Sequence, residues 1–199
     1  LERGFRVESL FAELARHKDT IAVPRAAMVS YSIVYRRGLR AFVAAAKSAG
    51  LDALIVPDLA AEEADELATV GRELDCPLIM IVAPTSDAAR RRRLAALSEP
   101  FIYYQALAGV TGERSALPAD LTAHLEELRA ATGKPICVGF GISTPEHVAA
   151  VCAAADGAIV GSAIVRRMNA AVEQGAPAER IAEIVSGVIT ELARGLPSA

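Results

Sequence analysis

Short apolar runs rich in valine, isoleucine and aromatic residues recur along the chain at 26–31 (AAMVSY), 53–57 (ALIVP), 78–83 (LIMIVA), 101–105 (FIYYQ), 135–139 (PICVG) and 157–160 (GAIV). Between them lie stretches rich in alanine, leucine and glutamate. Their core positions fall at helical spacing, as in Leu39, Phe42, Val43 and Ala46, or Leu121, His124, Leu125 and Leu128. Strands that alternate with helices predict βαβ units and a parallel sheet. The strand runs are continuously apolar rather than alternating, which fits a sheet covered on both faces.

The punctuation agrees. Gly50, Gly133 and the pair Asp156-Gly157 stand where helices should stop, and Asp87, Pro118 and Ser143-Thr144-Pro145-Glu146 stand where helices should start. A helix-like segment from Phe5 to His17 precedes the first strand run. The pattern holds about six β/α units, two short of the eight in a closed (β/α)8 barrel. It therefore predicts either an open parallel sheet or a barrel whose first two strands are missing from these residues.

Composition narrows the classes. The 199 residues are 53% hydrophobic with no composition break, long linker or low-complexity segment, so residues 1–199 are expected to form a single domain. A formal net charge of −3 gives no electrostatic case for nucleic acid. The one basic run, Arg90 to Arg93, follows the helix start at Asp87 and is expected to be a solvated helical face. Cys76, Cys137 and Cys152 are odd in number and lack CxxC spacing, which predicts free buried thiols in a reducing compartment. His17, His124 and His147 have no partner at ligand spacing, so no metal site is expected. No apolar run approaches the roughly 18 residues that span a bilayer, and the opening LERGFRVESLF is unlike a signal peptide; a cytoplasmic protein with no membrane partner is expected.

The candidate chemistry lies in the glycines of the last half. GFGIS (139–143) follows the penultimate strand run, Gly161-Ser162-Ala163-Ile164-Val165 follows the last one, and Gly109-Val110-Thr111-Gly112 follows the run at 101–105. Small residues at successive strand ends let backbone N–H groups approach an anion closely, and Ser162 adds a hydroxyl at a helix start. In barrels, the loops after the last two strands commonly hold a phosphate. The residues themselves point to a small phosphorylated ligand and no further.

The strings ALAGVTGERSALP, GFGISTPEHV and GAIVGSAIV, with LDALIVPDLAAEEA and LIMIVAPTS, resemble the alpha subunit of tryptophan synthase in order and spacing. The resemblance runs along nearly the whole chain. It implies an α/β fold, a (β/α)8 TIM barrel, and cleavage of indole-3-glycerol phosphate to indole and glyceraldehyde 3-phosphate. It also implies a beta-subunit partner in an alpha2-beta2 complex, with pyridoxal phosphate on that partner and no cofactor on this chain. Carried over by position, the phosphate site is Gly112, Phe140, Gly141, Gly161 and Ser162. Tyr103 stands beside the substrate pocket, Thr111 belongs to a loop that closes over it, and Asp58 lies at the entrance near the subunit contact.

Departures accompany the matches. The family's catalytic Glu and Asp belong to the second strand and the loop after it, which have no counterpart in these residues, so no catalytic residue is assigned and the 199 residues alone are expected to be inactive. Glu62, Glu63 and Asp58 read as polar residues around a helix start. Ser30-Tyr31-Ser32-Ile33 replaces a Tyr-Tyr-Asn-Pro type of string, and Leu107 stands where the family commonly has an Arg.

Overall fold

The computed structural model describes residues 6–106, 121–139 and 141–197. The chain divides into two compact units, Leu1–Ile81 with Arg92–Ile102, and Val82–Arg91 with Tyr103–Ala199.

The first unit runs α1 (Val7–His17), β1 (Ala26–Met28), α2 (Tyr31–Arg37), α3 (Leu39–Ser48), β2 (Ala53–Ile55), α4 (Ala64–Glu73) and β3 (Leu78–Ile79). Its sheet has the order β1-β2-β3, parallel throughout, with Met28 opposite Ile55 and Ile55 opposite Ile79. The helical spacing read at 39–46 buries Phe42, Val43 and Ala46, while Phe11 of α1 packs on Phe42 with ring centroids 5.5 Å apart. Full burial of one such large apolar side chain stabilises by about 1.5–3 kcal/mol, so this short helix is held by packing more than by propensity. The apolar run at 26–31 gives a strand of three residues, because the Tyr31 N–H is taken by the Asp58 carboxylate at 2.8 Å where α2 begins.

The run at 78–83 is broken at Met80, and its second half is a separate strand, β4 (Ile81–Val82), which opens the other sheet. Ser98 explains the break. Its side chain is 0% exposed, its Oγ accepts the Met80 N–H at 2.8 Å, and its hydroxyl donates to the Phe101 carbonyl at 2.6 Å. A buried hydroxyl satisfied on both sides takes the bond that a strand neighbour would have accepted.

Then follow α5 (Ala88–Leu97), β5 (Ile102–Gln105), α6 (Leu121–Thr132), β6 (Ile136–Gly139), α7 (Pro145–Cys152), β7 (Gly157–Ile159), α8 (Ser162–Glu173) and α9 (Ala178–Ala193). The second sheet has the order β4-β5-β6-β7, and β6 pairs in parallel with β7. Burial alternates along β5 and β6: Ile102, Tyr104, Ile136 and Val138 are covered, while their alternate neighbours are half-buried. The expectation of equal cover on both faces is met along β2 but not here. Tyr104 donates to or accepts from His124 Nδ1 of α6 at 2.8 Å, so the covered face of β5 is the helix face.

Two local readings change. Arg91 does not lie on a solvated face, whereas Arg90, Arg92 and Arg93 are exposed as expected. Arg91 is 12% exposed, bonded to Glu127 and to the Ser86 carbonyl at 2.5 Å, and Arg93 pairs with Asp65 at 2.7 Å. Both partners lie more than two dozen residues away in sequence, out of reach of any local pattern. Asp156-Gly157 is not a helix stop, since α7 ends at Cys152; the Asp156 carboxylate instead accepts the Ile136 N–H at 2.9 Å and a bond from Arg129 at 3.2 Å. The three cysteines are free; Cys76 is buried, which pushes its thiol up to about 11, whereas Cys137 and Cys152 are only half-buried. Pro118 and Phe5 lie outside the described residues. Among those residues, no helix is long and apolar enough to cross a membrane.

The end of α9 is seated on the start of α7. A Cβ at Gly195 would lie 1.9 Å from the Pro145 carbonyl oxygen, a backbone atom that cannot swing aside, whereas a Cβ at Gly187 within α9 would meet nothing within 4 Å. Gly195→Ala should therefore lower stability by about 1–3 kcal/mol through overpacking. Gly187→Ala should raise it by up to about 1 kcal/mol through helix propensity. Opposite shifts of the thermal midpoint are expected, and a neutral Gly195→Ala variant would refute the close seating.

Candidate functional site

The pairing of β6 with β7 sets Gly139 opposite Ile159. Two residues beyond each partner stand Gly141 and Gly161, so the GFGIS turn and the GSAIV turn leave adjacent strands at the same end. Gly141 has φ +48°, the left-handed region where glycine is favoured. The end of β5 is tied to the same place by the Ala106 N–H, which donates to the Gly139 carbonyl at 3.0 Å.

Tyr103 completes this end of the second unit. Tyr104 faces α6, so strand alternation turns Tyr103 to the opposite face. There its ring lies over the Gly139 backbone: a Cβ at Gly139 would come within 2.7 Å of the Tyr103 hydroxyl. Burial pushes the Tyr103 phenol up, which keeps it a protonated hydrogen-bond donor at neutral pH. The sequence places Gly139 in the GFGIS turn, but only Gly141 is assigned to the phosphate site. The repeated glycine around Phe140 was the available signal, but only the neighbouring ring shows why the first of the pair must be small.

The two helix starts at this end differ. At α7 the Thr144 side chain accepts the His147 N–H at 3.3 Å, and Pro145 occupies the first turn, so the cap is made internally. Glu146 lies in the same turn, its carboxyl held below the usual range by its own backbone N–H and then by the Thr144 hydroxyl. At α8 the cap residue is Gly161, which has no side chain to offer, and the internal ladder begins only with the Val165 N–H bonding the Gly161 carbonyl at 3.1 Å. The first turn of α8 starts at half-buried Ser162, and its first amide N–H groups have no partner within the helix. Water or an anion can satisfy such a terminus. Gly112, Thr111 and Phe140 lie outside the described residues. Among the described residues, no cluster of His, Cys, Asp and Glu is arranged to hold a metal ion.

Asp58 belongs to the first unit, at the ends of β1 and β2. One carboxylate oxygen accepts the Ser30 hydroxyl at 2.6 Å and the other the Tyr31 N–H at 2.8 Å. The Ser30 bond, then the Tyr31 bond, hold the carboxyl below its ordinary value. Met28, Val29, Ser30, Pro57 and Asp58 line a shallow cleft of about 220 Å³. Ser30 was noted only as a departure, yet it supplies the shortest bond to Asp58.

These features define an α/β protein of the parallel (β/α)-barrel class. The model of the family "Tryptophan synthase alpha chain" matches residues 1–192. The chain belongs to the tryptophan synthase alpha chain family. It is 46% identical over 177 residues to the tryptophan synthase alpha chain of Rhodopirellula baltica, covering 87% of this chain and 64% of that one. It is 38% identical over 196 residues to the alpha chain of a Geobacter species, covering 98% and 72%. Among solved structures, an Aquifex aeolicus protein matches with a TM-score of 0.82 and 29% identity over 99% of this chain and 72% of its own. A chain from the Pyrococcus furiosus tryptophan synthase a2b2 complex matches with a TM-score of 0.81 and 27% identity over 97% and 75%. The chain thus spans just under two thirds of the length of the R. baltica relative.

Because the folded-state pKa of Asp58 is lowered, its contribution to stability is present above about pH 4 and is lost as pH falls through the lowered value. Asp58 is exposed, so the contribution is small. Asp58→Asn should lower the thermal midpoint slightly at pH 7, and the two curves should converge towards pH 3. A difference that stays constant with pH would show that the carboxylate charge is not what matters.

Proposed function

We propose that this chain is the phosphate-holding and partner-docking part of a cytoplasmic tryptophan synthase alpha chain, a lyase that cleaves indole-3-glycerol phosphate to indole and glyceraldehyde 3-phosphate. The observation that carries the reading is the uncapped start of α8 at Gly161 and Ser162, next to the left-handed Gly141 and beneath the same strand ends as Tyr103. A phosphate dianion there accepts bonds from the α8 amides and the Ser162 hydroxyl, in a cradle that is neutral before it arrives. Gly112 and Phe140 belong to this cradle by family position, and Thr111 to the loop that covers it. The Tyr103 phenol flanks the pocket as a neutral donor.

Cleavage of the substrate's carbon–carbon bond is a retro-aldol step. Carbon leaves as a neutral enamine only if one group protonates the indole ring carbon and another takes the glycerol hydroxyl proton. Residues 1–199 are not assigned that acid–base pair. Asp58 is committed to Ser30 and Tyr31, and Glu63 stands at the start of α4 with Glu62 beside it. Asp58 is instead read as a docking residue for a beta subunit, in an alpha2-beta2 assembly in which the beta subunit carries pyridoxal phosphate and receives the indole. The P. furiosus neighbour, described as an a2b2 complex, supports that reading.

Gly161→Asp separates the roles. There is open space for a side chain at this position, and an aspartate at a helix start caps it. Stability should hold or rise by a few tenths of a kcal/mol, whereas affinity for glycerol phosphate should fall at least tenfold as the carboxylate takes the anion's place. Unchanged affinity by titration calorimetry would remove the α8 site. Residues 1–199 by themselves should bind glycerol phosphate and release no indole from indole-3-glycerol phosphate; steady indole formation would mean that an acid–base pair lies within them.

A further inference from the structure

A positively charged cavity lies in the first unit. A cavity of about 330 Å³ opens between the start of α1 and α2, with Arg6, Glu8, Ser32, Arg36 and Arg37 on its wall. Glu8 and Arg37 form an ion pair, and that bond first, with the field of Arg6 as a smaller cause, holds the Glu8 carboxyl below its ordinary value. Glu8 is therefore ionised and cancels one of the three positive charges. Among the described residues, no second carboxylate on the cavity wall offsets the other two.

The placement of Arg6 runs against local preference. It is the N-cap residue of α1, makes no side-chain cap bond there, and puts a cation at the helix end that already carries partial positive charge. Arg36 adds a second guanidinium to the same cavity from the last turn of α2. Two guanidiniums and a helix start around one space repel one another, and an anion in that space turns each repulsion into an attraction.

We propose that this cavity binds a small dianionic oxyanion, phosphate or the phosphate group of a larger metabolite, through Arg6 and Arg36, with the Ser32 hydroxyl as a third contact. Planar guanidinium forks match phosphate oxygens, and two uncompensated positive charges match a dianion. The volume admits a phosphate with room for a short attached chain. This site is separate from the α8 cradle and stands or falls independently of it.

The test is a titration of the isotope-labelled protein with inorganic phosphate at constant ionic strength, followed by amide chemical shifts, with chloride as the control. Saturable shifts are expected at Val7 to Ser9 and Ser32 to Arg37. The double variant Arg6→Ser/Arg36→Ser should weaken that response at least tenfold and leave the response at Gly161 to Ala163 unchanged. Glu8→Gln should tighten it several-fold by removing the competing carboxylate, an outcome that misfolding would not mimic. Glycerol phosphate binding more tightly than phosphate would support a larger metabolite, and equal binding would support free phosphate. The proposal is overturned if these amides show no saturable shift, if chloride reproduces it, or if the double variant responds like the parent.

Discussion

The two hydrogen bonds exchanged between Asp156 and Ile136 fix the register that brings Gly141 and Gly161 to the same end of adjacent strands. The Asp156 N–H donates to the Ile136 carbonyl and the Ile136 N–H donates to the Asp156 carboxylate, both at 2.9 Å, with Arg129 holding the carboxylate from α6. Cys137 then faces Gly157, where a Cβ would meet the Cys137 sulfur at 2.9 Å, and Gly139 faces Ile159. A slip of one residue would exchange the two faces of β7 and move Gly161 away from Gly141. The bond from the Ile136 N–H, ahead of that from Arg129, keeps the Asp156 carboxyl ionised below its usual range, so the clamp is in place at neutral pH.

The same economy governs Asp58. Ser30 stands at the N-cap of α2 but makes no cap bond to its own helix. Asp58, 28 residues further on, accepts the Tyr31 N–H at the helix start, and its other oxygen holds the Ser30 hydroxyl. A helix start and the turn after β2 are thereby made one feature, and the departure at Ser30 gains a structural meaning that the family comparison alone did not supply. Helix starts capped from a distance couple elements that local capping leaves independent.

What was legible in the sequence was set by range. The six apolar runs each contain strand, and the helix faces at 39–46 and 121–128 bury Phe42, Val43, Ala46, Leu121, Leu125 and Leu128, because periodicity is a local property of a chain packed on one face. The break at Met80 and the inward turn of Arg91 were not legible, since each is decided by a partner brought up by the fold, Ser98 and Glu127. The site divides along the same line. Gly161 and Ser162 could be placed from a small-residue turn after a strand, whereas the requirement for glycine at 139 exists only because the Tyr103 ring arrives from another strand.

The two helix starts at the cradle carry this argument furthest. In sequence both read as a turn feeding a helix, and Ser-Thr-Pro-Glu is the stronger start signal of the two. That strength is what makes α7 a poor anion site: Thr144 already accepts the His147 N–H, and Glu146 brings a negative charge into the first turn. Gly161 is the weaker cap and leaves α8 unsatisfied by its own side chain. A helix end must be satisfied by something, and where the chain withholds the cap the partner has to come from outside. A poor capping residue at a strand's end is therefore the more informative signal for a ligand. Of the two, α8 is therefore the start left open to an outside partner, while α7 serves to hold the turn that carries Gly141.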